Sequence, residues 1–143
     1  MERIKLNLPK NFTFSTMLAV RITDLNYGGH VGNDSFFSLI HEARLQFLKN
    51  YGYSELSFAG MGLIMADAAI EFKKELSYGD IIKISVTADG FDKLGFDLFY
   101  QLEVEVEGQM VIAGKAKTGM RCFDYTNKKS VSVPPEAIEK LKN

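Results

Sequence analysis

One long apolar helix followed by several strands is the feature that most restricts the fold of this chain. Apolar side chains recur at Phe36, Ile40, Ala43 and Phe47, at spacings of four, three and four residues, which is the periodicity of an α-helix. Further apolar residues fall on its other sides. The predicted helix, about residues 34–50, is therefore apolar around much of its circumference, and we expect other structure to enclose it.

Strand-like runs occupy most of the remaining sequence. One run precedes the helix and four follow it, separated by short turns, at about residues 12–22, 63–76, 81–88, 96–106 and 110–123. A short helix is expected near the end, at 136–142. The pattern predicts an α+β fold in a single domain, residues 1–143, with the long helix wrapped by a curved antiparallel sheet of five to six strands.

Composition and charge argue against several classes of function. The formal net charge of −1 and the scattered Lys and Arg residues do not suggest a nucleic-acid or membrane-surface partner. No run approaches the roughly 18 apolar residues of a membrane span, and the start lacks the apolar block of a signal peptide. We expect a cytoplasmic protein. The single cysteine, Cys122, cannot form an internal disulfide and is expected to be a packing residue.

A polar, glycine-rich segment, residues 21–33, connects the first strand to the helix. Its sequence is RITDLNYGGHVGN. The pair Gly28 and Gly29 allows the backbone to approach a ligand closely. We therefore expect the chemistry of the protein at this junction, and we call residues 24–33 the glycine loop.

Backbone amides at the start of the predicted helix are candidate oxyanion donors. Such amides have no partner within the helix and lie at the positive end of its dipole. They can therefore stabilise a carbonyl oxygen as it becomes negative. With Asn33 or Asp34 as the predicted N-cap, the candidate donors are the amides from Gly32 to Asp34.

The order of elements and the local residues resemble hotdog-fold thioesterases of the 4-hydroxybenzoyl-CoA thioesterase superfamily, especially the acyl-CoA thioesterase branch. Residues 24–29 resemble that branch's Asp-x-Asp-x-x-Gly signature, residues 42–44 its Glu-x-Arg, and residues 78–80 a shared turn before a strand. The resemblance extends over about residues 20–123. It implies hydrolysis of a fatty or aromatic acyl-CoA thioester without a metal or other cofactor, by a homodimer or homotetramer.

The resemblance also assigns positions within the site. Asn33 matches the oxyanion donor of the family. Asn26 takes the place of the branch's catalytic carboxylate. An amide has no basic lone pair near neutral pH, so Asn26 cannot be the base or the nucleophile. It can instead orient a water molecule or the thioester carbonyl.

Two side chains of the glycine loop are candidates for the base. Asp24 is the first choice; the alternative is that it forms an Asx-turn that organises the loop. His30 matches a histidine of acyl-carrier-protein thioesterases with the same fold, and histidine titrates near neutral pH. The alternative for His30 is hydrogen bonding to the loop backbone.

Two carboxylates outside the loop are further candidates. Glu42 lies nine residues beyond Asn33, about 13 Å along the helix axis, and a second branch of the superfamily uses a carboxylate at a similar place. A structural ion pair is the alternative. Asp67 interrupts a small apolar run in a predicted central strand, where a carboxylate needs a partner. It either serves the acyl pocket of a dimer partner or reaches solvent or a donor.

The resemblance implies that subunits pair edge to edge and that the active sites form at their interface. The acyl group would lie between the helix and the partner's sheet, in a pocket lined by Phe58, Met61, Leu63 and Met65. The phosphates of CoA would meet surface cations, with candidates at Lys73, Lys74 and Arg121.

Two classes of function remain open. The main hypothesis is an acyl-CoA thioesterase, with acyl carrier protein as the alternative carrier. The second is a binding module that holds an acyl thioester without turnover, which the amide at Asn26 favours. A hotdog dehydratase is a weaker third, because the histidine and acidic residue of that reaction are not in their usual arrangement.

Overall fold

A computed structural model describes residues 1–142 of the chain. In chain order the elements are β1 (Phe14–Ala19), a short 3₁₀ turn (Ile22–Asp24), α1 (Asn33–Asn50), β2 (Gly62–Phe72), β3 (Ile81–Asp89), β4 (Gly95–Val106), β5 (Gln109–Asp124), β6 (Lys129–Ser130) and α2 (Pro135–Leu141). The long helix, the strands and the terminal helix all lie close to their predicted positions.

The strands form one antiparallel sheet in the order β1-β3-β4-β5-β2, and the short β6 pairs with the end of β5. The sheet is curved, and α1 packs across its inner face. This arrangement confirms the predicted α+β hotdog fold. No helix among residues 1–142 combines the length and apolar character needed to cross a membrane.

The core lies between α1 and the inner face of the sheet. Phe36, Ile40, Ala43 and Phe47 are all buried, as their spacing predicts. Gly114 of β5 makes room for the first of them, because a Cβ there would collide with the Phe36 ring. Cys122 is also fully buried, which confirms its packing role.

The helix is less enclosed than its composition predicts. Leu45 is 40% exposed, and its neighbours His41 and Glu42 are exposed as well. The sheet covers one side of α1, and this row of residues lies on the other side. The single chain therefore leaves one flank of its central helix open.

The two ends of α1 show one wrong prediction and one confirmed prediction. The N-cap is Gly32, not Asn33 or Asp34. A Cβ at Gly32 would lie only 2.6 Å from the Asp34 carboxylate, so the position suits glycine. At the other end, Gly52 has a φ of +81° and ends the helix in the left-handed conformation, as predicted.

Strand β2 ends at Phe72, earlier than predicted. The amides of Lys73 and Lys74 both donate to the carbonyl of Ala113, at 2.9 and 3.0 Å. Because both amides bond to one carbonyl, the regular hydrogen bonding between β2 and β5 ends at this point. The segment 73–76 therefore leaves the sheet and passes in front of the start of α1, where it becomes part of the candidate site.

Candidate functional site

The glycine loop folds as a small hairpin. Leu25 pairs with Val31, and the amide of Asn26 donates to the carbonyl of His30 at 2.8 Å. Gly29 lies at the tip with a φ of +84°, a conformation that side chains rarely adopt. The hairpin holds His30 beside the start of α1.

Asn26 uses its side chain to stabilise this hairpin. Its Oδ1 accepts hydrogen bonds from the amides of Gly28, at 2.8 Å, and His30, at 3.4 Å. The first of these bonds closes an Asx-turn. The turn considered for Asp24 is thus made by Asn26, two residues later, and the oxygen of this amide is already occupied.

Asp24 is buried, with its carboxylate directed at Arg21. Oδ2 accepts the Arg21 amide at 2.8 Å, and Oδ1 lies 3.2 Å from the Arg21 guanidinium. The hydrogen bond to Asp24 is the main reason that the pKa of Arg21 is raised further. The Asp24 side chain is only 4% exposed. Its bonds join the end of β1 to the glycine loop.

A groove of about 390 Å³ lies at the N-terminus of α1. One wall comes from the loop and the helix, and the other from the segment that follows β2. The lining residues are Val31, Asn33, Phe36, Phe72, Lys73, Lys74, Glu75 and Leu76. We call this the N-terminal groove. It combines apolar walls with two cationic side chains and one carboxylate.

Three consecutive amides at the start of α1 are available at this end of the helix. Within residues 1–142, the N–H groups of Asn33, Asp34 and Ser35 have no hydrogen-bond acceptor. The amide of Gly32, which sequence reasoning included, is instead donated to the carbonyl of Asp24 at 3.2 Å. The candidate donor set therefore begins at Asn33.

His30 forms an ion pair that sequence reasoning missed. Its Nε2 lies 3.3 Å from Oε2 of Glu75, which lines the N-terminal groove. The His30 side chain is half-exposed. No local signal marks Glu75, since it stands in an ordinary charged stretch after a strand. Only the folded chain brings it to the glycine loop.

Glu42 lies in a different groove. This second groove, of about 470 Å³, runs between α1 and β1 and includes Arg21 and Gln46. Oε2 of Glu42 accepts a hydrogen bond from Gln46 at 2.9 Å. The single chain therefore does not bring Glu42 to the N-terminal groove.

Arg44, the other charged residue of the Glu-x-Arg segment, points into the protein. Its guanidinium lies 3.5 Å from the Tyr100 hydroxyl, and its Nε is 3.7 Å from Glu55. Within residues 1–142 that Nε has no hydrogen-bond partner. Burial of the Tyr100 phenol raises its pKa. Glu42 and Arg44 thus make their contacts on opposite sides of α1.

Asp67 lies on the face of the sheet opposite α1. The Lys117 ammonium is 2.9 Å from its Oδ1, which also accepts the Gly119 amide at 3.0 Å. The hydrogen bond from Lys117 is the main reason that the pKa of Asp67 is lowered. Asp67 and Arg121 line a third groove on this face of the sheet, and Arg121 does not line the N-terminal groove.

The predicted acyl-pocket residues divide into two groups. Phe58 and Leu63 are buried in the core of the single chain, and the Phe58 ring stacks on Phe96 with centroids 5.5 Å apart. Met65 is 43% exposed on the edge strand β2, and Met61 is half-buried. None of these four lines the N-terminal groove.

Of the three predicted cations, two line the N-terminal groove. Both Lys73 and Lys74 are exposed there. The Lys73 ammonium lies 2.8 Å from Glu71, and this interaction is the main reason that the pKa of Glu71 is lowered. The segment after β2 thus brings positive charge to the mouth of the groove.

Solved structures with the same fold include two thioesterases. A 1,4-dihydroxy-2-naphthoyl-CoA thioesterase from Synechocystis superposes with a TM-score of 0.77 at 20% identity, covering 90% of this chain and 94% of that one. An Asp-to-Asn mutant of 4-hydroxybenzoyl-CoA thioesterase, complexed with 4-hydroxybenzoyl-CoA, gives 0.81 at 15% identity, covering 90% and 97%. At these identities the likeness concerns the fold.

Sequence comparison gives the family. An Aquifex aeolicus (strain VF5) protein named "Putative esterase" is 29% identical over 126 residues, which cover 87% of this chain and 94% of that protein. The family model described as "Thioesterase-like superfamily" matches residues 20–141. This match includes the glycine loop, α1 and every residue of the N-terminal groove, and the chain belongs to the thioesterase-like superfamily.

Proposed function

We propose that this protein hydrolyses acyl-CoA thioesters in the N-terminal groove. The observation that carries the proposal is the set of three amides without acceptors, at Asn33, Asp34 and Ser35, at the helix terminus that borders the groove and follows His30. A donor set of this kind stabilises a tetrahedral oxyanion, and each donor typically contributes about 3 kcal/mol.

His30 is the base in this proposal. Asp24 was the first choice from sequence, but its carboxylate is buried and held by Arg21. His30 is half-exposed, and an imidazole ring has a nitrogen lone pair that can accept a proton. It is also held beside the groove by the hairpin of the glycine loop.

The reaction follows from these parts. A water molecule gives a proton to the His30 imidazole while its oxygen bonds to the thioester carbon, and the helix amides hold the resulting oxyanion. Collapse of this intermediate breaks the C–S bond. The imidazolium then returns the proton to the leaving thiolate. One thioester and one water yield one carboxylic acid and one thiol.

The two ends of the substrate have different surroundings. The apolar side chains of Val31, Phe36 and Phe72 favour a fatty or aromatic acyl group. Lys73 and Lys74 offer cations to the phosphates of CoA. The aromatic acyl-CoA substrates named for two structural relatives agree with this assignment.

A homodimer formed through β2 would complete the site. Among residues 1–142 this strand pairs only with β5, and its exposed stretch from Met65 to Ala68 includes three apolar residues. Pairing with the same strand of a second copy would cover this edge. The end of β2 also forms one wall of the N-terminal groove. We extend the proposal to a tetramer of two such dimers.

Light scattering coupled to size-exclusion chromatography tests the dimer. Met65→Arg should shift the protein towards monomer, because a charge would enter the paired edge. Met17→Arg is the matched control, since Met17 is 57% exposed on the opposite edge strand. Equal masses for wild type and both variants would contradict pairing through β2.

Thiol release from short, medium, long and aromatic acyl-CoAs tests the activity. We expect hydrolysis of at least one substrate class, with kcat reduced by about a hundredfold or more in His30→Ala. His41→Ala is a close control, because His41 is also about half-exposed and paired with a glutamate, at 2.9 Å. Equal loss in both variants would contradict the role of His30.

Binding of acyl thioesters without turnover is the second candidate function. Asn26 favours it, since the loop carries an amide at the position of the family carboxylate. Calorimetric titration with a non-hydrolysable acyl-CoA thioether separates the two functions. Binding without hydrolysis of any thioester would support the binding module, whereas hydrolysis would support the enzyme.

A further inference from the structure

We propose that Glu75 supplies the carboxylate that the glycine loop lacks at Asn26, as a positioning residue for the His30 imidazole. This inference rests on the thioesterase function proposed above. It concerns a residue that lies far from the loop in sequence and that no motif of the chain identifies. The carboxylate would act through the imidazole ring and not on the substrate.

The backbone around Glu75 is anchored on both sides. Before it, the amide of Lys74 donates to the carbonyl of Ala113 at 3.0 Å. After it, the carbonyl of Leu76 accepts the amide of Val31 at 2.9 Å, and the Leu76 side chain is buried in the core. The Val31 bond joins the segment after β2 directly to the residue that follows His30. The two side chains therefore approach from backbones that are fixed relative to each other.

The contact also selects the ring nitrogen that can act. Nε2 of His30 is the atom that faces Glu75, at 3.3 Å. With the proton on Nε2 donated to the carboxylate, the lone pair resides on Nδ1. Nδ1 has no hydrogen-bond or ion-pair partner within residues 1–142. It is then the atom that takes the proton from water and later returns it to the thiolate.

Two other side chains of the glycine loop, those of Asp24 and Asn26, are already held by other groups. Asp24 is held by Arg21, and the Asn26 oxygen is held by the amides of Gly28 and His30. Glu75 has no other ion-pair partner among the described residues. Its carboxylate is therefore available to the imidazole throughout the reaction, including the step in which the ring becomes positively charged.

Steady-state kinetics on the full chain test this inference. Glu75→Ala should lower kcat by about tenfold or more with little change in KM, because the ring loses its orientation. Glu75→Gln keeps an acceptor oxygen but not the charge, so its kcat should lie between those of wild type and Glu75→Ala. Glu105→Ala, an exposed glutamate on β4, is the control and should retain wild-type kcat.

A double variant separates positioning from other roles. In a His30→Ala background there is no ring to orient, so Glu75→Ala should cause no further loss of activity. An additional loss of the same size would overturn the inference, as would wild-type kcat in Glu75→Ala itself. Absence of thioester hydrolysis by the wild-type protein would overturn the proposed function and this inference together, and is a distinct result.

Discussion

Asp24 and Glu75 are two carboxylates that each pair with a basic side chain, Asp24 within the glycine loop and Glu75 in the segment that follows β2. The Asp24 side chain is 4% exposed and bonds to both the amide and the guanidinium of Arg21. The Glu75 side chain is 76% exposed, and His30 is its only ion-pair partner in the part of the chain that the structure describes. The Asp24 carboxylate is thus occupied by structural hydrogen bonds, whereas the Glu75 carboxylate remains accessible at the N-terminal groove.

The difference shows that the place of a carboxylate in a motif does not indicate which surface of the fold it faces. Asp24 occupies the conspicuous place in the loop, but its carboxylate bonds to Arg21 and it does not line the N-terminal groove. Glu75 occupies an unremarkable place in the sequence, yet it lines the groove. We therefore expect substitution of Asp24 to change mainly the free energy of unfolding, and substitution of Glu75 to change mainly kcat.

The largest effect on stability should come from Asp24→Ala. Removing this buried acceptor leaves the Arg21 amide without a partner, and we expect the free energy of unfolding to fall by about 1–3 kcal/mol. Urea denaturation measures this change. Asp34→Ala, at an exposed carboxylate in the first turn of α1, should cost about 0.3–1 kcal/mol through the helix dipole. Equal stability of Asp24→Ala and wild type would remove the distinction between the two loop carboxylates.

An intermediate effect should come from the cations beside Glu75. The double variant Lys73→Gln/Lys74→Gln should raise KM for acyl-CoA by about tenfold at low salt, if each exposed charge contributes about 0.7 kcal/mol. The effect should shrink as salt is added, because exposed charges are screened. Lys83→Gln, on β3, is the control. A wild-type KM that does not depend on salt would indicate that Lys73 and Lys74 do not bind the phosphates of CoA.

The smallest effect should come from Asn26→Asp. The Asn26 oxygen accepts two loop amides, and an aspartate oxygen can accept the same bonds, so we expect the hairpin to persist. If Glu75 already supplies the required carboxylate, kcat should change by less than about threefold. A much larger gain in kcat would show that a carboxylate at residue 26 acts in the reaction, and would contradict the assignment of the required carboxylate to Glu75.

Most of the fold could be predicted because its signals are local. The spacing of Phe36, Ile40, Ala43 and Phe47 located α1 to within one residue at its start, and alternation and turn residues located the strands. The N-cap at Gly32 is not predicted, because it depends on two contacts within the fold. The Asp34 carboxylate lies too close to this position for a Cβ, and the Gly32 amide donates to the carbonyl of Asp24. Such contacts cannot be derived from periodicity.

The candidate site was predictable only in part. The helix terminus and His30 follow from the sequence, since the glycines mark the junction and the apolar periodicity marks the helix. The pairing of Asp24 with Arg21, the Asx-turn at Asn26 and the approach of Glu75 depend on how the backbone turns. The partner of Asp67, Lys117, is on a neighbouring strand, and only strand register brings the two together.

The burial of Cys122 has a practical consequence for measuring turnover. Its side chain has no exposed surface, and desolvation raises its pKa to about 11, so almost none of it is thiolate at neutral pH. It is the only cysteine in the chain. A thiol-reactive chromophore added to the native protein should therefore report released CoA alone, and colour from enzyme without substrate would signal unfolded molecules.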